Sequence, residues 1–252
     1  CINTNVSQSE IDSQVSDKLK KNEPIYQIDI NLINKLKPTH ILTQDVCDVC
    51  AVSSNTIEVT LKDTRCELPN DIEIISLNSK TFSGICNDVL LVGKIFNKKN
   101  EANEMVYLAK KKWNSLKKSK NHKKLLMLEW INPPFSPGHW IPEQIELAGF
   151  KCLFSSPGDV SKTLTWDEVH NKNPDYIGVV CCGYNENENK EFAKKLYDLN
   201  LIQNVNAIKK ENVYFFDSKN FFSKPSLKIV EGAELICNIL ESKNSIFRCL
   251  RS

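Results

Sequence analysis

Glycine is scarce, with eight in 252 residues, too few for a convincing phosphate-cradling loop. The motifs that would carry such a loop, G-x-x-x-x-G-K-[ST] and G-x-G-x-x-G, do not occur, and neither do H-E-x-x-H or G-x-S-x-G. Nucleotide hydrolysis, dinucleotide redox chemistry, zinc proteolysis and serine-esterase chemistry therefore have no signature here, and no catalytic residue is expected. No apolar run approaches the roughly 18 residues of a membrane span. Neither sign of charge dominates: 33 basic and 31 acidic residues leave a net +2, which implies no polyanion partner and no nucleic acid. Lysine runs such as Lys110-Lys111-Lys112 and Lys117-Lys118 read as solvated helix faces. Cys1 to Asn22 is polar and charged, unlike a signal peptide. No internal repeat or low-complexity tract stands out.

What is present is an ordinary globular composition, 41% hydrophobic and 25% charged, long enough for one large domain or two lobes with a sizeable core. Ten cysteines point towards a reducing compartment, since an exported chain would be expected to pair them. Cys66, Cys86, Cys152 and Cys237 lie in or near apolar patterns and read as small core residues. Cys47-x-x-Cys50 is a single pair, and Cys181-Cys182 are adjacent, so neither makes a closed zinc site and no metal site is assigned. A hydrolase built on Cys47 and His139 would lack a carboxylate to orient the base.

The richest stretch runs from Leu125 to Phe150. Leu125, Leu126, Met127 and Leu128 form a continuous apolar run, the pattern of a parallel strand covered on both faces. From Glu129 to Trp140, three prolines and a glycine predict a stiff non-helical loop that carries Trp130, Phe135, His139 and Trp140. Pro142, the stripe of Ile141, Ile145 and Ala148, and Gly149 predict a short helix and its end.

Elsewhere, residues 1–24 read as surface structure with a short amphipathic stretch (Ile11, Val15, Leu19). Asp29 is placed to cap a helix carrying Ile30, Ile33 and Leu36, which Lys37-Pro38 stops before a strand at His40-Ile41-Leu42. A strand at 72–77 and a helix carrying Phe82, Ile85, Val89 and Val92 come next. A longer helix follows at 101–118, about 27 Å long at 1.5 Å per residue. Beyond it, strands near 125–128, 151–154, 176–181 and 213–216 alternate with helices near 142–148, 166–171, 187–199 and 227–241. Thr165-Trp166-Asp167-Glu168 has capping-box spacing, and Asn173-Pro174 ends that helix. Such alternation predicts a parallel sheet whose ligands bind beyond the carboxyl ends of its strands. Loops at those ends carry Trp130, Phe135, His139 and Trp140; Cys181, Cys182, Gly183 and Tyr184; Asn220, Phe221 and Phe222; and, earlier, Gln44, Asp45, Cys47 and Cys50. Ring faces with a few polar anchors suit a large, flat, partly apolar ligand. The alternative is that several of the rings fill the core, and that His139 is satisfied by a backbone carbonyl.

Four stretches in order, KPTHILTQDVCDVCAVS (37–53), LEWINPPFSPGHWIPEQIELAGF (128–150), TWDEVHNKNPDYIGVVCCGY (165–184) and VYFFDSKNFFSKPSLKIVEGAELICNIL (213–240), resemble the cobalamin-binding subunits of ABC importers. That helical-backbone class is shared with iron-siderophore binding proteins. The resemblance implies an α/β fold of two lobes with mainly parallel sheets, joined by a long connecting helix, with the ligand cleft between lobes. The lobes would be 1–98 and 121–252, with 99–120 as the connector. Compared with the family, the opening strand and helix of the first lobe have no counterpart, so the N-terminal part of the pattern is expected to be missing. The implied function is capture of cobalamin or a related corrinoid, not covalently bound, by a monomer that docks on a membrane permease from the periplasmic or extracytoplasmic side. Implied ligand contacts are Gln44, Asp45, Cys47, Trp130, Phe135, His139, Trp140, Tyr184, Phe221 and Phe222, with Gln44, Asp45, His139 and Tyr184 fixing orientation. Docking in the family uses an acidic residue on each lobe. Asp167 occupies that position in the second lobe, while the first has Asn31 with Asp29 nearby. The alternatives are an iron-siderophore or haem binder of the same fold, and a cytoplasmic cobalamin- or metal-handling protein that uses Cys47, Cys50, Cys181 or Cys182 as thiols.

Overall fold

The computed structural model describes residues 2–21, 23, 25–46, 52, 54–61, 72–116, 121–241 and 247–250. The chain divides into two compact units, 1–79 and 80–252. The first contains α1 (Gln8–Lys20), α2 (Ile30–Leu36), β1 (His40–Thr43), α3 (Ser54–Leu61) and β2 (Glu73–Ser76). Asp29 caps α2 by accepting the Leu32 N–H at 3.0 Å, and Lys37 ends the helix in a left-handed conformation. That stop is forced by Pro38, which disfavours helical backbone at the residue before it. Strands β1 and β2 pair in parallel, His40 opposite Glu73. The surface stretch expected at the N-terminus is a full helix, because Ser7 and Glu10 form a reciprocal capping box at its start.

The second unit begins with two helices, α4 (Phe82–Ile95) and α5 (Lys99–Ser115). They form a hairpin in which Gly93 lies against Ala102, and a Cβ on Gly93 would overlap that of Ala102. The sequence reading set the first lobe at 1–98, whereas α4 and α5 both fall in the unit that starts at residue 80. The rest of the unit runs β3 (Lys124–Leu128), β4 (Trp130–Ile131), β5 (Pro134–Phe135), α6 (Ile141–Leu147), β6 (Lys151–Cys152), α7 (Trp166–Lys172), β7 (Tyr176–Val179), α8 (Glu186–Lys195), α9 (Asn206–Lys209), β8 (Val213–Phe215), α10 (Ser218–Phe221), α11 (Ile229–Glu241) and β9 (Arg248–Cys249). The α5 side chain of Lys112 meets Glu234 of α11 at 2.8 Å.

Five strands form one sheet in the order β6-β3-β7-β8-β9; the first four are parallel and β9 is antiparallel. All four residues Leu125–Leu128 are fully buried, as the unbroken apolar run predicted. Alternation along the strands sends Leu126, Leu128, Ile177, Val179, Val213 and Phe215 into one core with Val169, Ala193, Leu196 and Ile208. Leu125, Met127, Tyr176, Gly178 and Tyr214 therefore occupy the other face. At about 1.5–3 kcal/mol per fully buried large aliphatic side chain, β3 is the sheet's main apolar anchor. The Thr165–Glu168 capping box is formed, and Asn173 closes α7 in a left-handed conformation ahead of Pro174.

Candidate ligand-binding site

The site is clearest where β3 and β7 end. The segment expected to be a simple stiff loop after β3 contains a tight hairpin, β4 and β5, turning at Asn132-Pro133. In this hairpin Trp130 stands directly opposite Phe135, so both side chains leave on the same face. Each is half-buried. The Trp130 ring lies 5.7 Å from that of Tyr184, tilted by 48°, and Phe192 meets Tyr184 edge-on at 4.9 Å. Tyr184 reaches this place because Gly183, at φ +83, reverses the chain just after β7. The turn is pinned on both sides: the Cys182 N–H donates to the Glu129 carbonyl at 3.0 Å, and the Gly183 N–H donates to Ser223 Oγ at 3.1 Å. Burial, helped by Cys181, Glu188 and Cys182, pushes the Tyr184 phenol above its usual range, so it stays a neutral donor.

The remainder of the loop is stitched to the segment before α7. Ser136 and Lys162 exchange two hydrogen bonds of 2.9 Å. The His139 N–H donates to the Asp159 carbonyl at 2.6 Å, and its carbonyl accepts the Gly158 N–H at 2.9 Å. His139 is left-handed, at φ 55. Burial first, and the charge of Lys80 second, hold its imidazole below the ordinary histidine range, so it is neutral at pH 7. Its Nδ1 is buried without a hydrogen-bond partner, which overturns the carbonyl-satisfied alternative for that nitrogen.

Several rings and anchors named from the sequence go elsewhere. Trp140 is 3% exposed, and its Nε1–H donates to the Phe222 carbonyl at 2.9 Å. Phe222 is itself buried against Phe216, with ring centroids 5.7 Å apart. Both are core residues, because the indole finds its polar partner inside the protein. Phe221 remains half-buried at the end of α10. In the first unit, Gln44 is half-buried just after β1. The Asp45 carboxylate is already engaged: it accepts from the Ser54 N–H and hydroxyl, each at 2.7 Å, and from the Ser76 hydroxyl at 2.6 Å. Those bonds, led by that of Ser76, hold its pKa below the usual carboxylate range. Asp45, expected to orient a ligand, thus braces the start of α3 against β2. Cys47 and Cys50 lie outside the described residues. Cys181 is buried and Cys182 exposed, so only the second of that pair faces solvent. Cys86 and Cys237 are core residues as expected, and burial pushes the half-buried Cys152 thiol up to about 12. Asp29 and Asp167 are both exposed, the first as a helix cap and the second in the first turn of α7. No cluster of three or more metal-ligating side chains occurs among the described residues, and none of their helices is long and apolar enough to cross a membrane.

The sequence model of the periplasmic binding protein family matches residues 2–220. The chain belongs to that family. Among solved structures, it is similar to an ABC transporter substrate-binding protein from Listeria monocytogenes (TM-score 0.67, 19% identity, 84% of this chain and 80% of that one). It is similar as well to the periplasmic heme binding protein HutB of Vibrio cholerae (0.67, 18%, 89% and 86%) and to the periplasmic vitamin B12 binding protein BtuF of the same organism (0.59, 14%, 91% and 85%). No curated protein matches the sequence. At these identities the structural likeness concerns the fold: two α/β units with mainly parallel sheets.

Proposed function

We propose that this periplasmic binding protein captures cobalamin or a related corrinoid for ABC-type import, working as a monomer on the extracytoplasmic side. The observation that carries the reading is the ring group Trp130, Phe135 and Tyr184 at the carboxyl ends of β3 and β7, two of its rings on one face of a rigid hairpin. A corrin ring offers a broad partly apolar face for such rings and polar side groups for Tyr184 and His139. Phe221 belongs to the same proposal, as does docking of Asp29 and Asp167 on the permease. A haem or ferric siderophore is the second reading, favoured by the neutral His139 with its unpartnered Nδ1 and by the likeness to a heme binding protein.

The test is titration calorimetry of the protein with cyanocobalamin, beside haemin and a ferric hydroxamate. Saturable sub-micromolar cyanocobalamin binding, weakened about tenfold or more by Trp130→Ala as expected for a ring at a binding hot spot, supports the corrinoid reading. Binding of haemin or the hydroxamate alone would replace it with the second reading. An unchanged affinity in Trp130→Ala would move the site away from the hairpin.

A further inference from the structure

We propose that Glu129 is the positioning residue of the ring group, holding the loop after β3 against the segment before α7 and so setting where Trp130, Phe135 and His139 stand. For the ligand, this rests on the reading above. Glu129 sits between the last residue of β3 and the first of β4, where the sheet hands over to the site. One carboxylate oxygen, Oε1, accepts the Gly138 N–H at 2.7 Å, and the other, Oε2, accepts the Ser161 hydroxyl at 2.6 Å. Its backbone works in the same direction: its N–H donates to the Phe135 carbonyl at 3.3 Å, and its carbonyl accepts the Cys182 N–H at 3.0 Å. One residue therefore joins the hairpin, the glycine beside His139, the segment 155–165 and the turn that carries Tyr184. Gly138 makes the carboxylate bridge possible, since a Cβ there would overlap Ser161. The other ties between the loops, Ser136 with Lys162 and His139 with Asp159, connect the loops to each other. Glu129 connects them to the strand. A ring group fixed before ligand arrives avoids the cost of ordering it on binding.

The test uses the whole chain with Glu129→Ala, Glu129→Gln and Ser161→Ala. Glutamine keeps an acceptor for the Gly138 N–H and places an amide N–H against Ser161 Oγ, whereas alanine keeps neither bond. Amide hydrogen exchange over 136–140 and over β3 and β7 is followed together with the affinity for cyanocobalamin, haemin and a ferric hydroxamate. In Glu129→Ala, protection at 136–140 and affinity should each fall by about tenfold, the affinity mainly through faster dissociation, as lost preorganisation predicts. β3 and β7 should stay protected, Ser161→Ala should fall between wild type and Glu129→Ala, and Glu129→Gln should remain within about threefold of wild type because both hydrogen bonds survive. Wild-type protection at 136–140 in Glu129→Ala would overturn the inference. So would equal losses in the alanine and glutamine variants, or exposure of β3 and β7, because the residue would then be holding the sheet. If the wild type binds none of the three probes, the ligand reading fails, and the exchange comparison alone still decides whether Glu129 positions the loop.

Discussion

At the scale of single residues, His139 shows how the fold spends a titratable group. Burial and Lys80 lower its affinity for a proton, so the native state prefers the neutral ring. Above the unfolded value of 6.5 the side chain is neutral in both states and costs nothing. As the pH drops through that value, the unfolded chain takes up a proton that the native state refuses, and stability is lost until the folded group titrates too. The urea midpoint should therefore fall between pH 7.5 and pH 5.5 more steeply in the wild type than in His139→Asn. Asparagine is the suitable replacement because it tolerates the left-handed backbone at this position. Identical slopes in the two proteins would show that His139 is not a buried neutral group. The sequence pointed to His139 and Trp140 together, as neighbours in one loop. Their different fates depend on partners far along the chain: Trp140 is committed to the carbonyl of Phe222, 82 residues away. No local pattern encodes that separation. Nor did a pattern announce Glu129, although a carboxylate directly after four buried apolar residues was a signal that could have been read.

Elements were legible where their signals are local. Asp29 caps α2, the Thr165–Glu168 box starts α7, and Gly149 follows the end of α6 at φ 85, each as the residue types require. Elements whose existence depends on a neighbour were not: β9 is two residues long and stands only because Val213 and Tyr214 of β8 pair with it, and no propensity marks Arg248-Cys249 as a strand. The contact of β3 with β7 is equally non-local, and one glycine governs it. Gly178 stands opposite Met127 in the ladder, and a Cβ there would overlap Met127 Sδ and crowd its Cε. Gly178→Ala should therefore destabilise the second unit by about 1–3 kcal/mol through overpacking, read as a lower urea midpoint. A Met127→Ala change combined with it should recover part of the loss by vacating the space, a coupling measurable in a double-mutant cycle. Additive losses would mean that Met127 is not the obstacle.

On the scale of the whole molecule, the two units differ in how much they bury. Among the described residues of 1–79, the buried apolar side chains are Val46, Ile57 and Ile75, and the sheet there has two strands. Residues 80–252 contain the five-stranded sheet and the continuous core around Leu126, Ile177 and Val213. A two-stranded sheet is marginal in water unless it packs on more structure, and opening free energies track buried apolar area and shielded backbone bonds. Native-state hydrogen exchange at rising, sub-denaturing urea should then separate the units. Amides of β1 and β2 should exchange through openings of low free energy, whereas those of β3, β7 and β8 should exchange only through global unfolding, with the full denaturant dependence. Merging of all five strands on one isotherm would overturn this and make the chain a single cooperative body. Separation would have a functional corollary under the proposed reading. The Trp130–Tyr184 ring group belongs to the second unit, so it would keep its shape while β1 and β2 open.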